Sequence, residues 1–319
     1  MKNLNEINII CGTGPLGLAV MNELLSQNRK VTMINRSGVA QVPKGVSVIK
    51  ADIHNFTSIL SACKGATRIY NCAKPDYTKW DTDFIPIIKN LIKVAEQLDA
   101  IIVHGDNMYM YGEVDGSISE RLPYGATSKK GIVRGNIAEM LITAHKEGAV
   151  KATIGRGSCF YGPHVDESLV GKNVFMAALE GKAAPVLGDI DMAHTFTYVK
   201  DFAKALVILG DSEKALGSEW HIPNAPTITT REFINMIYQE EGNLPKFKIA
   251  TRKMVSVFGL FNKIMREFKE IMYIYDKPFV VDSEKFIKEF GNFATSHSEG
   301  IKDTLEWYKA NFSKEGSNL

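Results

Sequence analysis

Six short apolar segments, separated by stretches with helical periodicity, restrict the fold of the first 160 residues more than any other feature of the sequence. The segments are apolar throughout rather than alternating, which is typical of parallel strands covered on both faces. Between them apolar residues recur at helical spacing, as Leu16, Ala19, Val20 and Leu24 do. This alternation predicts right-handed βαβ units and a Rossmann-type, doubly wound α/β sheet. The predicted strands cover residues 7–11, 31–35, 46–51, 68–72, 101–104 and 152–156.

A glycine-rich segment follows the first predicted strand directly and opens the first predicted helix. It reads Gly12, Thr13, Gly14, Pro15, Leu16 and Gly17. In this pattern the first glycine permits a tight turn, the second lets a pyrophosphate approach the backbone, and the third lets helix and strand pack closely. The helix N-terminus then offers amide donors and a positive dipole end to phosphates. The segment therefore predicts a dinucleotide-binding loop.

The end of the second strand bears on the choice between NAD and NADP(H). An acidic residue there would bind the ribose 2′-hydroxyl and repel a 2′-phosphate. Here the strand ends in Asn35, Arg36 and Ser37, with no acid. Arg36 is placed to form a forked contact with a 2′-phosphate, and Ser37 to add a hydrogen bond. NADP(H) is therefore the expected cofactor and NAD the less favoured one, although a solvated surface arginine would give the same pattern.

Residues of two further segments are expected to lie along the cofactor. Asp52 and Ile53, just past the third strand, lie where such folds contact the adenine, although Asp52 could equally cap the next helix. Cys72, Ala73 and Lys74 follow the fourth strand, where Lys74 would face the nicotinamide side or simply cap a turn.

Composition excludes several classes of protein. The 319 residues carry a formal net charge of +2, which gives no electrostatic case for nucleic acid or an anionic membrane as a partner. The four cysteines lack the paired spacing of a zinc site or a disulfide framework, so we expect no metal and a reducing compartment. No signal peptide or apolar stretch of about 18 residues is seen. We expect a soluble, cytoplasmic protein that acts on a small molecule.

The pattern changes after about residue 165, where helical segments dominate. Helices are predicted over residues 168–180, 199–210, 230–241, 254–275 and 301–311, with short strands at 196–199 and 220–222. No glycine-serine or proline-rich linker separates the two parts. We therefore expect a dinucleotide-binding domain over residues 1–165. A smaller, mainly helical substrate-binding part, residues 166–319, would pack onto it and return some strands and helices to the main sheet.

On these features the chain resembles the short-chain dehydrogenase/reductase superfamily, in its extended, NAD-dependent epimerase/dehydratase branch. The resemblance covers nearly the whole chain. Besides the glycine motif it includes Ala51-Asp52, Met110-Tyr111-Gly112, Phe160-Tyr161-Gly162-Pro163, Gly188-Asp189, the segment from His194 to Asp201, and Ala205-Leu206. It implies an oxidoreductase or epimerase acting on a small polar carbonyl or sugar-like substrate, as a monomer or homodimer.

The catalytic pattern of this chain departs from that resemblance. Extended members carry Ser or Thr four residues before the Tyr-Gly pair, where this chain has Asn107. They also carry Tyr-x-x-x-Lys, in which the lysine lets a phenol of pKa about 10 act near neutral pH. Here Tyr124 has Ser128 four places later, and the preferred register puts Lys130 at the tyrosine position and Arg134 at the lysine position.

Three interpretations of this site remain open from the sequence. Lys130 would serve as acid/base if burial and Arg134 favour its neutral form. Alternatively, Tyr124 reaches in from the preceding loop and keeps the usual role. In the third, both cations only bind the cofactor or a substrate anion, so that the chain is a non-catalytic NADP(H)-binding redox sensor or regulatory protein. A solvated, charged first helical turn would also explain Lys129 and Lys130.

Substrate contacts are expected from residues near the same sheet edge and from the second part of the chain. Asn107 and Tyr109 follow the fifth strand at its carboxyl end, where ligands bind in open α/β sheets. The resemblance adds Tyr161 and His194, the latter at a position that is often polar and substrate-facing, although a structural role fits it equally well.

Overall fold

The structure is a computed structural model, and it describes residues 6–312. In this range fifteen strands and twelve α-helices are formed, with 3-10 turns at Tyr77–Lys79, Tyr109–Tyr111 and Glu213–Ala215. The strands are β1 Asn8–Cys11, β2 Val31–Asn35, β3 Ser47–Lys50, β4 Arg68–Asn71, β5 Ile101–Asp106, β6 Ser117–Ile118, β7 Lys151–Arg156, β8 Cys159–Tyr161, β9 Ala184–Leu187, β10 Ala193–His194, β11 Phe196–Tyr198, β12 Glu219–His221, β13 Ile228–Thr229, β14 Phe247–Ala250 and β15 Val280–Val281. The helices are α1 Pro15–Ser26, α2 Phe56–Ala62, α3 Trp80–Leu98, α4 Lys129–Lys146, α5 Lys172–Leu179, α6 Val199–Asp211, α7 Thr230–Glu240, α8 Arg252–Phe258, α9 Lys263–Glu270, α10 Tyr273–Asp276, α11 Glu284–Phe290 and α12 His297–Phe312.

A seven-stranded parallel sheet forms the centre of the fold, in the order β3-β2-β1-β4-β5-β7-β12. Helices cover both faces. On one face α2, α3 and α4 form a core with residues such as Phe84, Leu91 and Leu141. On the other, Leu16 of α1 and Leu206 of α6 lie over Gly105 of β5. The predicted Rossmann-type, doubly wound α/β fold is confirmed, and the strand order reverses direction at β1 and β4.

The third predicted strand differs from expectation in its burial. Residues 46–51 were expected to be covered on both faces, yet in β3 Ser47, Ile49 and Lys50 are exposed. The reason is its position, because β3 pairs only with β2 and so lies at the edge of the sheet, where fewer elements cover a strand. Apolar content alone does not distinguish an edge strand from a central one.

The predicted single helix over residues 254–275 is wrong. The segment forms three short helices, α8, α9 and α10. Gly259 lies at the C-cap of α8, and Asn262 then starts a new helix by accepting hydrogen bonds from the backbone amides of Ile264 (2.9 Å) and Met265 (3.2 Å). A glycine followed by an asparagine N-cap ends one helix and begins another. Similarly, the helix predicted from residue 168 begins at Lys172, after Gly171.

The described residues divide into two compact units. Unit 1 comprises the residues up to Gly112, then Pro123–Gly157 and Phe202–Ile222, and it contains the seven-stranded sheet. Unit 2 comprises Glu113–Leu122, Ser158–Asp201 and the residues from Pro223 onwards. Unit 2 has its own aromatic core, built around Phe175, Phe233 and Tyr308. Among residues 6–312 there is no helix of the length and apolarity that a membrane span requires.

Candidate functional site

The turn between β1 and α1 has the geometry of a loop that accepts a ligand at its backbone. Gly12 takes φ +101°, which other residues rarely adopt, and its amide donates to the carbonyl of Ile34 in β2 (2.9 Å). A Cβ at Gly17 would lie 2.1 Å from the Gly12 carbonyl oxygen, so the helix can approach the strand only without a side chain there. A Cβ at Gly14, by contrast, would meet nothing within 4 Å. The backbone of Gly14 therefore faces open space.

The N-terminus of α1 adds donors to that space. Gly14 is the N-cap and contributes no side-chain cap, and Pro15 occupies the first turn. The first amides of an α-helix have no intrahelical acceptor, so those of Leu16 and Gly17 are available to a ligand. The helix dipole favours an anion at the same end. The first turn of α1 contains no acidic residue that would repel one.

Asn35, at the end of β2, ties the second strand to this loop. Its Nδ2 donates to Thr13 Oγ1 (3.0 Å) and to the carbonyl of Val39 (2.9 Å), and its Oδ1 accepts from the amide of Gly38 (2.6 Å). Ser37 donates to the Oδ1 of the same side chain at 3.1 Å. The side-chain amide of Asn35 thus holds residues 37–39 of the turn that follows β2.

Arg36 and Asp52 lie at the neighbouring ends of β2 and β3, and both are exposed. The backbone amide of His54 donates to Asp52 Oδ1 (3.0 Å) and, with a smaller contribution from Arg36, lowers the pKa of this carboxyl. Asp52 Oδ1 also lies within hydrogen-bond distance of the His54 ring (3.0 Å), and the backbone amide of Asp52 donates to Ser58 Oγ (3.2 Å). Its side chain is therefore held within its own turn. Asn55 caps α2, so Asp52 is not the cap.

The segment after β4 forms the next part of the same sheet edge. Gly12 packs directly on Ala73, since a Cβ on Gly12 would lie 3.0 Å from the Ala73 Cα. Cys72 donates its amide to the Cys11 carbonyl (3.0 Å), and burial raises the pKa of its thiol to about 12. Ile53 is half-buried and Lys74 is exposed. The backbones of residues 12 and 72–73 are thus in contact beside the open space at Gly14.

The first turn of α4 separates the two lysines clearly. Ser128 caps the helix by accepting from the Gly131 amide (3.2 Å). Lys129 is exposed, whereas Lys130 is 3% exposed and places its Nζ 4.3 Å from the centre of the Tyr77 ring. The charged first turn is therefore not simply solvated. Lys130 is enclosed by an aromatic wall that includes Trp80.

Arg134, one turn further along α4, is held by a buried acid that the sequence analysis did not single out. Its NH1 donates to Asp106 Oδ1 at 2.9 Å, and its guanidinium lies 4.3 Å from the Trp80 ring centre. Burial lowers the pKa of Arg134. Asp106 also accepts from the backbone amide of Asn107 (2.8 Å), and Asn107 Oδ1 in turn accepts from the Tyr109 amide (3.0 Å). Arg134 and the end of β5 are therefore fixed by one carboxylate.

A second buried arginine completes this cluster at the ends of β7 and β12. Arg156 is fully buried; its Nε lies 3.5 Å from Asp106 Oδ2, and it donates to the hydroxyls of Tyr111 (2.6 Å) and Tyr124 (2.5 Å). Tyr124 donates to Glu219 Oε1 at 2.6 Å. Two buried cations thus share one fully buried carboxylate, that of Asp106. The partly exposed Glu219 supplies a second negative charge, 3.7 Å from Arg156.

The part of the chain that contains the glycine loop, the sheet edge and α4 matches a known protein family. A model of the NAD dependent epimerase/dehydratase family matches residues 7–222. The chain belongs to this family. The match covers the glycine loop, the ends of the central strands and α4.

Curated relatives of this family member are distant and longer. A trifunctional UDP-glucose 4,6-dehydratase/UDP-4-keto-6-deoxy-D-glucose 3,5-epimerase/UDP-4-keto-L-rhamnose-reductase of Arabidopsis thaliana is 25% identical over 248 residues, which are 74% of this chain and 33% of that protein. A dTDP-glucose 4,6-dehydratase of Shigella flexneri is 29% identical over 162 residues, 47% of this chain and 39% of that protein. The matched part is thus well under half of either relative.

Solved structures of the family share the fold along nearly the whole chain. A dTDP-glucose 4,6-dehydratase of Bacillus anthracis in complex with NAD has a TM-score of 0.80 at 18% identity and covers 97% of this chain and 98% of its own. A UDP-glucose 4-epimerase of Thermus thermophilus in complex with NAD has a TM-score of 0.78 at 19% identity and covers 95% and 99%.

In this family member the hydroxyl of Tyr124 is engaged by the buried cluster. It lies between Arg156 and Glu219, and burial raises the pKa of Tyr124. A phenol that exchanges protons near neutral pH requires the opposite shift. Lys130, by contrast, is not among the residues that bind Tyr124. The structure therefore separates the two residues that the sequence analysis offered as alternatives.

The residues expected to contact substrate fall into different surroundings. Tyr109 is half-buried in unit 1, with its ring 6.1 Å from that of Trp80. Tyr161 is 1% exposed and packs against Phe233 in the core of unit 2. His194 is 2% exposed, with its ring between those of Phe196 and Phe279. In this structure Tyr161 and His194 serve as packing residues of unit 2.

The burial of His194 predicts a specific pH dependence of stability. Burial lowers the pKa of His194 to about 3, and that of His104 in unit 1 to about 4. The unfolded chain then binds more protons than the folded one between about pH 6.5 and pH 4. The stability that depends on these neutral histidines is therefore fully present above about pH 6.5 and is lost as the pH falls through this window. Each histidine is expected to remove about 2 kcal/mol from the free energy of unfolding between about pH 7 and pH 5.

Urea titrations of the wild type and of His194→Gln across this pH range measure the effect. The variant should lose stability near neutral pH, yet its stability should fall less steeply on acidification, by about 2 kcal/mol. Parallel pH curves for the two proteins would contradict the assignment.

Sequence reasoning missed the buried acid and the second arginine. Asp106 follows the apolar strand segment that was predicted, and Arg156 ends another predicted strand. A charged residue at the end of a buried strand is itself a signal, since such residues are almost never fully buried unless paired. Trp80 and Tyr77, which face Lys130 and Arg134, carried no recognisable signal.

Proposed function

We propose that this protein is an NADP(H)-dependent oxidoreductase or epimerase acting on a small polar carbonyl or sugar-like substrate. The observation that carries the proposal is the open approach to the Gly14 backbone, between β1 and the uncapped N-terminus of α1. Family membership and the NAD bound in similar solved structures support a nicotinamide cofactor. The dehydratase and epimerase names of the relatives support a sugar-like substrate.

The residues available to hold the cofactor follow the carboxyl ends of four adjacent strands. In the proposal the amides at Gly14, Leu16 and Gly17 bind the diphosphate. Arg36 and Ser37 bind the 2′-phosphate, Asp52 and Ile53 border the adenine, and residues 72–74 border the nicotinamide half. A bound nicotinamide supplies hydride transfer. The protein's own contribution is to orient the substrate and to exclude water.

Proton handling is assigned to Lys130 rather than to Tyr124. Lys130 is withdrawn from solvent and held against the Tyr77 ring, whereas the Tyr124 hydroxyl is bound by Arg156 and Glu219. Tyr124 is then a positioning residue that fixes the cluster behind the site. Arg134, locked by Asp106, stays in place whether or not Lys130 carries a proton. Asn107 occupies the position of the missing serine.

Unit 2 also contains a pocket of its own. Its volume is about 550 Å³, and Asp189, Thr251 and Lys253 are among the residues that line it. Two charged pairs lie in its wall, Arg231 with Asp191 (2.6 Å) and Arg252 with Asp276 (2.6 Å). These charges offer partners to the polar groups of a ligand.

The reaction is tested by turnover. The purified protein is incubated with each nicotinamide cofactor and a panel of carbonyl compounds and sugar nucleotides, and products are followed by cofactor absorbance and by NMR. We expect turnover of at least one compound. Tight cofactor binding without any turnover would contradict the enzymatic proposal and favour the redox-sensor alternative, which also predicts different affinities for oxidised and reduced cofactor.

The preference for NADP(H) depends on Arg36. Replacing it with aspartate should weaken NADPH binding at least about tenfold, because a carboxylate repels the 2′-phosphate that the guanidinium would pair with. NADH binding should be unchanged or tighter. Dissociation constants from fluorescence titration measure this, with the exposed neighbour Val39→Ser as a matched control. Equal loss of affinity for both cofactors would contradict the assignment.

A further inference from the structure

The tip of the α8–α9 hairpin in unit 2 exposes a compact set of large apolar side chains. Five of them fall within eight consecutive residues and are at least half exposed: Val257 58%, Phe258 55%, Leu260 70%, Phe261 88% and Ile264 51%. Isolated exposed apolar residues are ordinary, but contiguous ones mark an interaction surface. We refer to these five residues as the apolar tip.

Basic residues flank the apolar tip in the sequence. The segment 252–270 contains five basic residues and two acidic ones, whereas the whole chain is nearly neutral at +2. Lys253, Lys263, Arg266 and Lys269 are all exposed. The segment that carries the apolar tip is therefore locally basic, with five positive against two negative side chains.

The hairpin is built so that this surface stays on the outside. In α8 Val255 is buried, and in α9 Met265 and Phe268 are partly buried. Gly259 closes α8, and its carbonyl accepts from Arg266 Nε (3.1 Å), which ties the two helices together across the turn. The apolar tip is therefore held on a braced turn and is not produced by a fraying end.

Two alternative occupants fit this surface less well. In a two-fold contact between copies the same patch meets itself, so the lysines of one copy would face those of the other. A nucleic acid would match the positive charge and could stack on Phe258 and Phe261, but it would leave the aliphatic Val257, Leu260 and Ile264 without an apolar partner. An acyl layer beneath anionic headgroups matches both the aliphatic side chains and the cations.

We propose that the apolar tip is a docking site for an anionic lipid surface. The aromatic and aliphatic side chains enter the boundary between headgroups and acyl chains, and the surrounding lysines pair with headgroup phosphates. The near-zero charge of the whole chain gave no reason to expect such a partner, and it is the local distribution of charge that provides one. This proposal is independent of the cofactor and of the reaction.

Co-sedimentation of the full chain with lipid vesicles tests the proposal. The two vesicle types are phosphatidylcholine alone and an equal mixture of phosphatidylcholine and phosphatidylglycerol. We expect binding at least about tenfold stronger to the mixed vesicles, and weakened by added salt. The double variant Phe258→Ser/Phe261→Ser should lose about tenfold of that binding, because it removes the two rings that enter the layer. Its matched control is Leu244→Ser, which changes an 82% exposed residue outside the hairpin.

A second pair of variants separates charge from apolar contact. Lys263→Glu/Lys269→Glu should abolish the preference for mixed vesicles, whereas Lys64→Glu/Lys89→Glu, the same charge change on exposed lysines of unit 1, should retain most of it. Equal binding to both vesicle types would overturn the proposal, as would mixed-vesicle binding that the phenylalanine variant leaves unchanged. Light scattering gives a further outcome. If the wild type is a dimer that the phenylalanine variant dissociates, and no vesicle binding is seen, the surface is a contact between copies and the proposal is wrong.

Discussion

Replacing Gly14 with valine is expected to weaken dinucleotide binding by at least about a hundredfold, while the protein remains folded. A Cβ at this position meets nothing within 4 Å in the protein, and the backbone has φ −79° and ψ −176°, which valine tolerates. The side chain would instead fill the space through which a pyrophosphate approaches the backbone. Loss of a good N-cap residue should cost at most about 1 kcal/mol of stability.

Isothermal titration and urea unfolding of the same samples separate the two effects. Gly14→Ala should give an intermediate loss of affinity, because its side chain fills less of the space. Gly17→Ala is the opposite case, since its Cβ would lie 2.1 Å from the Gly12 carbonyl oxygen and should disrupt the fold itself. Normal cofactor affinity in Gly14→Val would show that the ligand does not approach at this turn.

Replacing Asp106 with asparagine is expected to destabilise the protein by about 3–5 kcal/mol, a large part of the stability of a typical domain. The change preserves shape but removes the fully buried carboxylate that faces both Arg134 and Arg156. Both guanidiniums remain charged near neutral pH, and neither can move to solvent, because their side chains are 7% and 0% exposed. The protein loses stability because buried positive charge is left without the carboxylate that compensated it.

Asp99→Asn is the matched control for this prediction. Asp99 pairs with Lys151 at 3.2 Å, but its side chain is 88% exposed, and a solvated pair of this kind contributes little. Asparagine also tolerates the left-handed conformation of this residue, at φ +48°. Urea unfolding monitored by circular dichroism compares the three proteins. Similar stability for Asp106→Asn and wild type would mean that the arginines have another source of compensation.

The sheet and the glycine loop were predictable because each rests on a local pattern. Apolar runs of four to six residues between amphipathic helices specify buried parallel strands. The structure shows a backbone reason for glycine at positions 12 and 17, and open space beside Gly14. The edge position of β3 was not predictable, because strand order depends on how the units pack and not on the composition of one strand. The break at Gly259 and Asn262 has a local sequence signal, but apolar residues continue at helical spacing on both sides of it and mask that signal.

The buried cluster could not be assembled from the sequence. Asp106, Arg134, Arg156 and Glu219 lie on four different elements that only the parallel register of β5, β7 and β12 brings together. The motif at α4 did identify Lys130 and Arg134 as a pair at helical spacing. It could not show that one would be fixed by a carboxylate and the other held against an aromatic ring.

Calorimetric titration of the purified protein with NADP⁺, NADPH, NAD⁺ and NADH tests the central claim most directly. We predict saturable binding of at least one dinucleotide, tightest for the phosphorylated pair and lost in Gly14→Val. The absence of any heat of association with all four, in protein shown to be folded, would contradict the assignment of the turn between β1 and α1 as a cofactor site.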